Sequence, residues 1–326
     1  MEAQIPALDV KNLEVQFATR DGVVSAVQKL SFQVAQEETI GLVGESGCGK
    51  STAALALMRL VPRPGRIAGG SILLKGKEIL TISDAEMRAL RGPEVAMIFQ
   101  DALTALDPRM TVGRQLMEPL QIHLHMPAKE AKARAIELLG QVGIPSPASR
   151  LNQYPHEFSG GMRQRAMIAL AISCRPRLLL ADEPTTALDV TMQNQILNLI
   201  LQLKQQTQTA VVLITHDVGV VANVCDRVVV MYAGREVEFG RTQDVFTHPV
   251  HPYTRGLLDS SLMLDGDRSR PLQAIPGLPP ELISLPKGCV FAPRCKFRTE
   301  QCQQSQPELE IAESEHMVAC LNWRSI

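Results

Sequence analysis

The clearest chemical pattern in the sequence is a glycine-rich segment near the N-terminus. Residues 44–51 read GESGCGKS, which fits the pattern GxxxxGK[ST] of a phosphate-binding loop. Glycines let backbone N–H groups curl around phosphate oxygens, and a helix N-terminus that follows favours anions. The segment follows the predicted strand Thr39–Val43 and opens a predicted helix. A glycine-rich turn that binds nothing is the alternative, and the matching context favours nucleotide binding.

Each residue of this loop is a candidate ligand of the nucleotide. Lys50 is predicted to reach the β- and γ-phosphates, and the Ser51 hydroxyl is predicted to bind Mg²⁺. The predicted nucleotide-binding residues of the segment are Gly44, Glu45, Ser46, Gly47, Cys48, Gly49, Lys50, Ser51 and Thr52.

Two carboxylates end an apolar strand further along the chain. The sequence Leu178–Ala181 is followed directly by Asp182 and Glu183. Asp182 suits a place near Mg²⁺, and Glu183 suits the base that polarises an attacking water. Acidic residues that merely close a strand are the alternative, which becomes improbable once the chain also carries a phosphate loop.

A second small-residue element lies about 110 residues after the loop. Ser159, Gly160, Gly161 and Met162 stand at the start of a predicted helix, where a hydroxyl and exposed backbone form an anion site. A glycine hinge before a helix is the alternative interpretation of this segment alone.

In this order, the loop, the Ser-Gly-Gly element and the Asp-Glu pair resemble the ABC ATPase domain over about residues 7–245. The signature is usually LSGGQ and reads FSGGM here. The resemblance implies that ATP lies between the loop of one subunit and the signature of a facing one. It also implies roles for four residues. Gln100 resembles the glutamine of the Q-loop, which binds Mg²⁺ and water. Asp189, at the end of Thr186–Asp189, resembles the aspartate of the D-loop. His216 resembles the switch histidine that contacts the γ-phosphate. Phe17 would stack on adenine, with a core phenylalanine as the competing interpretation.

Composition limits the classes of function. The 326 residues are 45% hydrophobic and 21% charged, with a net charge of −1, so no basic field attracts nucleic acid. The start of the chain lacks the pattern of a secretory signal, and no apolar run approaches the length of a membrane span. We therefore expect a cytosolic protein that meets a membrane only through partners. Aromatic residues make up 4%, so aliphatic side chains are expected to fill the core.

Strand and helix patterns alternate along most of the chain. Alternating apolar residues predict strands at Ala7–Phe17 and Val23–Val34, and buried apolar strands between helices predict a parallel core. The predicted fold is therefore α/β: a P-loop NTPase core of the ABC type, with an N-terminal antiparallel β subdomain and an inserted helical subdomain at about 103–160. We predict an ATPase domain at 1–250 and a C-terminal extension at 251–326.

The C-terminal extension contains HPYT at 251–254, IPGLPP at 275–280 and GCVFAPRC at 288–295. It resembles the extension of the oligopeptide/dipeptide-permease ATPases, a family that also includes importers of nickel and other small solutes. Four of the seven cysteines lie here, and their spacing resembles the set that holds a [4Fe–4S] cluster in some members. Zinc and metal-free thiols or incidental disulfides are the alternatives. The predicted cluster ligands are Cys289, Cys295, Cys302 and Cys320.

The resemblance implies an ATP- and Mg²⁺-dependent ATPase that energises import of di- and oligopeptides, with nickel or another small solute as alternative cargo. The implied partners are a second homologous ATPase subunit, two transmembrane permease subunits and, indirectly, an extracytoplasmic solute-binding protein. The implied location is the cytoplasmic face of the inner or plasma membrane. An ABC ATPase acting on nucleic acid or ribosomes is the distant alternative. It is disfavoured because the separation of Ser51 from Ser159 is too short for a coiled-coil arm, and no nucleic acid partner is expected.

Overall fold

The computed structural model describes residues 5–185, 189–260 and 274–326. Within them the strands are β1 (Leu8–Thr19), β2 (Gly22–Val34), β3 (Thr39–Val43), β4 (Gly65–Leu74), β5 (Lys77–Glu78), β6 (Val95–Ile98), β7 (Leu178–Asp182), β8 (Ala210–Thr215), β9 (Arg227–Tyr232), β10 (Arg235–Arg241), β11 (Glu310–Glu313) and β12 (His316–Val318). The α-helices are α1 (Lys50–Leu57), α2 (Asp84–Leu90), α3 (Ala102–Ala105), α4 (Val112–Leu124), α5 (Ala128–Gln141), α6 (Pro147–Arg150), α7 (Gly160–Ile172), α8 (Val190–Thr207), α9 (Val218–Val224), α10 (Thr242–Thr247), α11 (Pro252–Asp259) and α12 (Glu300–Gln304).

The described chain divides into two compact units that are not contiguous in sequence. The first unit comprises residues 5–7, 35–37, 81–185 and 189–212. The second unit comprises residues 8–34, 38–80, 213–260 and 274–326. Strand β8 carries the chain from the first unit into the second.

One sheet of the second unit is antiparallel, in the order β2-β1-β4-β5. Leu8 pairs with Val34 on one side and with Leu74 on the other. The inward side chains Leu13, Leu30 and Ile72 are completely buried, as alternation of apolar and polar residues in a half-buried strand requires. The predicted N-terminal antiparallel subdomain is therefore confirmed.

A second set of strands in this unit surrounds β3. Strand β3 pairs in parallel with β9, and β9 pairs antiparallel with β10. Strand β12 joins β10 on its far side, and β11 then joins β12. All five residues of β3 are buried, so its apolar sequence is that of a strand covered on both faces. The strands β10, β11 and β12 were not predicted, and they bring the end of the C-terminal extension into this sheet.

The first unit is mostly helical. Strands β6 and β7 pair in parallel, and helices α3 to α6 fill the stretch between β6 and α7. Its core is aliphatic, as composition predicts, with Leu120, Ala135, Leu138 and Ile168 completely buried. The helical region predicted at about 103–160 is therefore present as helices.

Two helices of this unit are capped at their N-termini by predicted site residues with short polar side chains. The Ser159 hydroxyl accepts a hydrogen bond from the Met162 N–H at 3.3 Å and caps α7. The Asp189 carboxylate accepts one from the Met192 N–H at 2.9 Å and caps α8. Caps of this kind satisfy donors that the first helical turn leaves unpaired. None of the helices in the described part of the chain is long and apolar enough to cross a bilayer.

Candidate functional site

The predicted phosphate loop lies in the second unit, between the end of β3 and the start of α1. Helix α1 begins at Lys50, and its N-cap residue, Gly49, has no side chain that could cap it. The backbone N–H groups of the first turn therefore point out of the helix start, where they favour an anion. Gly47 is exposed, and a Cβ added there would meet nothing within 4 Å, so open space lies beside the loop at this position.

Two glycines of this loop cannot be replaced without moving the backbone. Gly44 and Gly49 have φ angles of 153° and 102°, which residues with a Cβ rarely adopt. A Cβ at Gly44 would collide with the carbonyl oxygen of Met231, and one at Gly49 with that of Ala26. The loop is thus packed tightly against β9 and β2 from behind, which fixes its shape.

Lys50 lies inside the loop and is 5% exposed. Its ammonium donates hydrogen bonds to the carbonyl oxygens of Gly44 at 2.7 Å and Glu45 at 3.0 Å. Its nitrogen also lies 3.8 Å from the Cys48 sulfur, and burial raises the pKa of that thiol. These carbonyl oxygens are neutral, and a buried ammonium held by neutral groups is well suited to a polyphosphate, because an anionic ligand would compensate its charge.

Phe17 and His216 belong to the same unit as the loop. Phe17 lies in β1 opposite Gly65, and a Cβ at Gly65 would meet the Phe17 ring. The ring is half-buried, so one part of it is accessible for stacking. His216 follows β8 directly with an exposed side chain, and Asp217 caps helix α9.

The first unit brings Gln100 and Glu183 together. The Gln100 amide donates a hydrogen bond from Nε2 to Glu183 Oε2 at 2.9 Å. Asp182 is buried at the end of β7 and 4% exposed. Glu183 has a φ of 43°, in the left-handed region that side chains other than glycine, asparagine and aspartate seldom adopt. Backbone conformations of this kind cluster at active sites.

The signature segment forms the N-terminus of α7 with little side-chain cover. Ser159 and Gly160 are exposed, and a Cβ at Gly160 would meet nothing within 4 Å. The hydroxyl and the first N–H groups of a 13-residue helix therefore lie at the surface, as an anion site requires.

Sequence reasoning missed Gln164, in the same helix. Its buried side chain donates to the carbonyl oxygen of Pro184 at 2.5 Å, which ties α7 to the residue after Glu183. Its place in the SGGMRQ segment, five residues after Ser159, was the available signal.

Asp189 is exposed and caps α8, as described above. The other residues of the predicted D-loop, 186–188, lie outside the described residues.

The predicted iron–sulfur site is wrong. Among the described residues, no group of three or more His, Cys, Asp or Glu side chains is arranged to hold a metal ion. The cavity that the four cysteines line has a volume of about 20 Å³, which is room for one water rather than for four irons and four sulfides. The Cys302 sulfur lies 3.5 Å from the Asn322 amide nitrogen and 3.4 Å from the Thr299 hydroxyl. The four cysteines predicted as cluster ligands are free thiols: Cys289, Cys295, Cys302 and Cys320.

The sequence also gave no sign that the C-terminal extension contacts the phosphate loop. Arg294 donates to both carboxylate oxygens of Glu45, from Nη1 at 2.7 Å and from Nη2 at 3.0 Å. The Tyr253 hydroxyl accepts a hydrogen bond from the Glu45 N–H at 2.8 Å. Arg294 stands 249 positions from Glu45, so no local pattern could have indicated the pair.

Comparison with known families matches two parts of the chain. Residues 27–186 match the family described as "ABC transporter", and residues 237–302 match the one described as "Oligopeptide/dipeptide transporter, C-terminal region". The first match contains the phosphate loop, the signature segment and the Asp-Glu pair. The second contains both residues of the extension that contact Glu45.

Curated relatives align over almost the whole chain. The "Oligopeptide transport ATP-binding protein OppD" of Haemophilus influenzae is 53% identical over 298 residues, or 91% of this chain and 92% of that protein. The "Dipeptide transport ATP-binding protein DppD" of Bacillus subtilis is 50% identical over 314 residues, or 96% of this chain and 93% of that protein.

Among solved structures, the dimeric post-hydrolysis state of the ATP-binding cassette MJ0796 bound to ADP and Pi is similar. It has a TM-score of 0.65 and 25% identity, and the alignment covers 72% of this chain and 98% of that one.

Proposed function

The chain belongs to the family of ATP-binding subunits of oligopeptide and dipeptide ABC importers, and we propose that the residues described above form its ATP-hydrolysing site. Its function is to bind and hydrolyse ATP and thereby to energise peptide import. The observation that carries the site proposal is the phosphate loop, whose glycines have restricted backbones and whose Lys50 ammonium is buried among carbonyl oxygens.

In this proposal the chain holds ATP by its phosphates and its base. Lys50 exchanges its carbonyl partners for phosphate oxygens, and the N–H groups of the loop and of the first turn of α1 donate to the phosphates. Phe17 stacks on adenine with the accessible part of its ring. His216 contacts the γ-phosphate from the end of β8.

ABC ATPases use Mg²⁺ together with ATP, and the donor set of this chain suits the ion. The proposed ligands are the Ser51 hydroxyl, the Gln100 amide oxygen and the Asp182 carboxylate, which are hard oxygen donors of the kind that Mg²⁺ prefers. When bound, the ion neutralises charge on the phosphate oxygens.

Glu183 is proposed to act on the attacking water. Its carboxylate accepts a hydrogen bond from Gln100, which orients the group, and in the proposal this carboxylate takes the proton of the attacking water. The attack on the γ-phosphate is in line, and positioning with electrostatic stabilisation supplies most of the rate acceleration. The hydrogen bond between Gln164 and the Pro184 carbonyl supports the backbone next to this carboxylate.

The exposed signature segment supports a paired arrangement of two ATPase subunits. Ser159, Gly160, Gly161 and Met162 provide a second anion site at the surface, and in the proposal they bind the ATP held by the loop of a facing subunit. Asp189 belongs to the same contact. The other proposed partners are two permease subunits, which hold the chain at the cytoplasmic face of the membrane, and an extracytoplasmic solute-binding protein.

The test of this site is Glu183→Gln. The variant keeps the volume of the side chain and loses the base, so ATP binding should persist while turnover falls by roughly 10²- to 10⁴-fold. Binding is measured with mant-ATP and turnover by phosphate release from the assembled importer. Glu130→Gln, an exposed acid in α5, is the matched control and should hydrolyse ATP at the normal rate. Near-normal hydrolysis by Glu183→Gln contradicts the assigned role.

A further inference from the structure

Glu45 is the residue of the phosphate loop that the C-terminal extension contacts most closely. Its two carboxylate oxygens accept hydrogen bonds from two guanidinium nitrogens of Arg294, and its backbone N–H donates a hydrogen bond to the Tyr253 hydroxyl. Its carbonyl oxygen in turn accepts a hydrogen bond from the Lys50 ammonium. Side chain, N–H and carbonyl of a single loop residue therefore connect the extension to the residue that is proposed to bind phosphate.

Arg294 is itself held in place. It donates from Nε to the carbonyl oxygen of Pro276 at 3.0 Å and from Nη2 to that of Ile275 at 3.2 Å. Its Nη1 also lies 3.3 Å from the Tyr232 hydroxyl. The Arg294 side chain is 5% exposed and the Glu45 side chain 25%. A bidentate pair that is mostly shielded from water is strong and has a fixed geometry.

Tyr253 is equally restrained, by an aromatic cluster. Its ring centroid lies 4.6 Å from that of Tyr232 and 5.5 Å from that of Phe291. Tyr232 and Phe291 contact each other edge to face at 5.1 Å. All three rings are buried, so the Tyr253 hydroxyl presents its oxygen to the Glu45 N–H from a rigid support.

The charge of Glu45 gives these contacts a consequence for nucleotide binding. A carboxylate within a phosphate loop repels the phosphates of ATP, and the repulsion is strong where water is scarce. Arg294 supplies the opposite charge directly on that carboxylate and fixes the direction in which it points. A loop without this partner would carry an unneutralised acid beside its anionic ligand.

We propose that Arg294 and Tyr253 are positioning residues for ATP: from the C-terminal extension they hold Glu45, and through it the phosphate loop, in the shape and charge state that bind polyphosphate. The inference rests on the proposed ATP site and assigns to the extension a part in nucleotide affinity. A purely structural role would stabilise the extension and leave the affinity of the loop unchanged.

The experiment measures the Kd of mant-ATP on the full chain and the KM and kcat for ATP of the assembled importer. Arg294→Met should raise the Kd and KM by about 10- to 100-fold, because the Glu45 carboxylate would then repel the phosphates of ATP without a compensating charge. The fall in kcat at saturating ATP should be much smaller. Arg294→Lys keeps the charge without the bidentate geometry and should lie between wild type and Arg294→Met.

A second variant, with little effect on packing, distinguishes a loss of affinity from a folding defect. Tyr253→Phe keeps the ring in its cluster and removes only the acceptor of the Glu45 N–H, so the Kd should rise by about 2- to 10-fold. The matched control is Arg324→Met in the same extension. It removes an exposed ion pair with Glu310 and should leave the Kd unchanged.

A double variant tests whether Arg294 acts through Glu45. If it does, Glu45→Gln combined with Arg294→Met should bind mant-ATP no more weakly than Arg294→Met alone. Additive losses would overturn the inference, as would Kd values within twofold of wild type for both Arg294→Met and Tyr253→Phe. Failure of the underlying ATP site has a different signature, because Lys50→Ala would then bind mant-ATP as wild type does.

Discussion

The buried carboxylate of Glu238 should be the largest single contributor to the stability of the C-terminal extension. Glu238 lies in β10 with no exposed surface. One oxygen accepts the Val250 N–H at 2.6 Å and lies 2.7 Å from His316 Nε2, and the other accepts the His251 N–H at 3.0 Å. These partners belong to the start of the extension and to β12, so this one carboxylate joins both ends of the extension to β10.

Glu238→Ala should lower the free energy of unfolding by about 3–5 kcal/mol, because breaking a buried ionic or hydrogen-bonded group leaves its partners unsatisfied. Two backbone N–H groups and a buried histidine would lose their acceptor, at about 1–3 kcal/mol for each donor left unpaired. Glu238→Gln keeps the volume and one acceptor oxygen, so its loss should be smaller, at about 1–3 kcal/mol.

Urea unfolding of the full chain provides the assay, followed by the fluorescence of Trp323. This residue is the one tryptophan of the sequence and lies in the extension, where its indole N–H donates to Glu310. Glu315→Ala is the control. It removes an exposed ion pair with Arg241 and should change stability by less than about 1 kcal/mol. If Glu238→Ala unfolds within about 1 kcal/mol of wild type, the reasoning from buried hydrogen bonds is refuted.

Two further predictions concern titration. Burial raises the pKa of Glu236 from 4.5 to about 8, so between these values the native chain holds a proton that the unfolded chain has released. Stability should therefore fall as pH rises from 4.5 to about 8, and Glu236→Gln should flatten the dependence of the melting temperature on pH; an unchanged slope would contradict the assignment. Burial likewise raises the pKa of the Cys320 thiol to about 11. Alkylation of Cys320 by iodoacetamide, followed by peptide mass spectrometry, should be slower at pH 8 than that of a free cysteine and should accelerate towards pH 11. A rate equal to that of free cysteine would contradict the raised pKa of this thiol.

Local patterns predicted the elements that carry the nucleotide chemistry. The phosphate loop was indicated by residue types at fixed offsets, and the structure places it between β3 and α1 as predicted. The bounds of β3 agree with the predicted strand Thr39–Val43 at both ends, and β1 and β2 lie within two residues of their predicted bounds, because apolar runs and alternation are properties of neighbouring residues. The roles of Gln100 and Glu183 were predicted separately, and the structure supplies the hydrogen bond between them.

Patterns in the extension were less informative. Strands β11 and β12 have four and three residues, which is too few for alternation to be distinguished from chance. The buried Glu238 gives β10 the sequence pattern of a polar segment. The cysteine spacing fitted cluster ligands, yet spacing along the chain does not fix the distance between side chains. The packing of Phe291, His251 and Asn322 around the same thiols leaves the small cavity that excludes a cluster.

The sequence by itself indicated, through motifs that resemble those of known families, that this chain is an ABC ATPase with a peptide-importer extension, because each of these motifs consists of residues that are close together in the chain. Tertiary structure alone decided what the extension does for that loop. Arg294 and Glu45 are separated by 249 positions, and only the folding of residues 213–260 and 274–326 with residues 38–80 into one compact unit brings a guanidinium onto the carboxylate. Long-range ion pairs of this kind depend on where the backbone is placed by the whole core, and no stretch of sequence encodes that position locally.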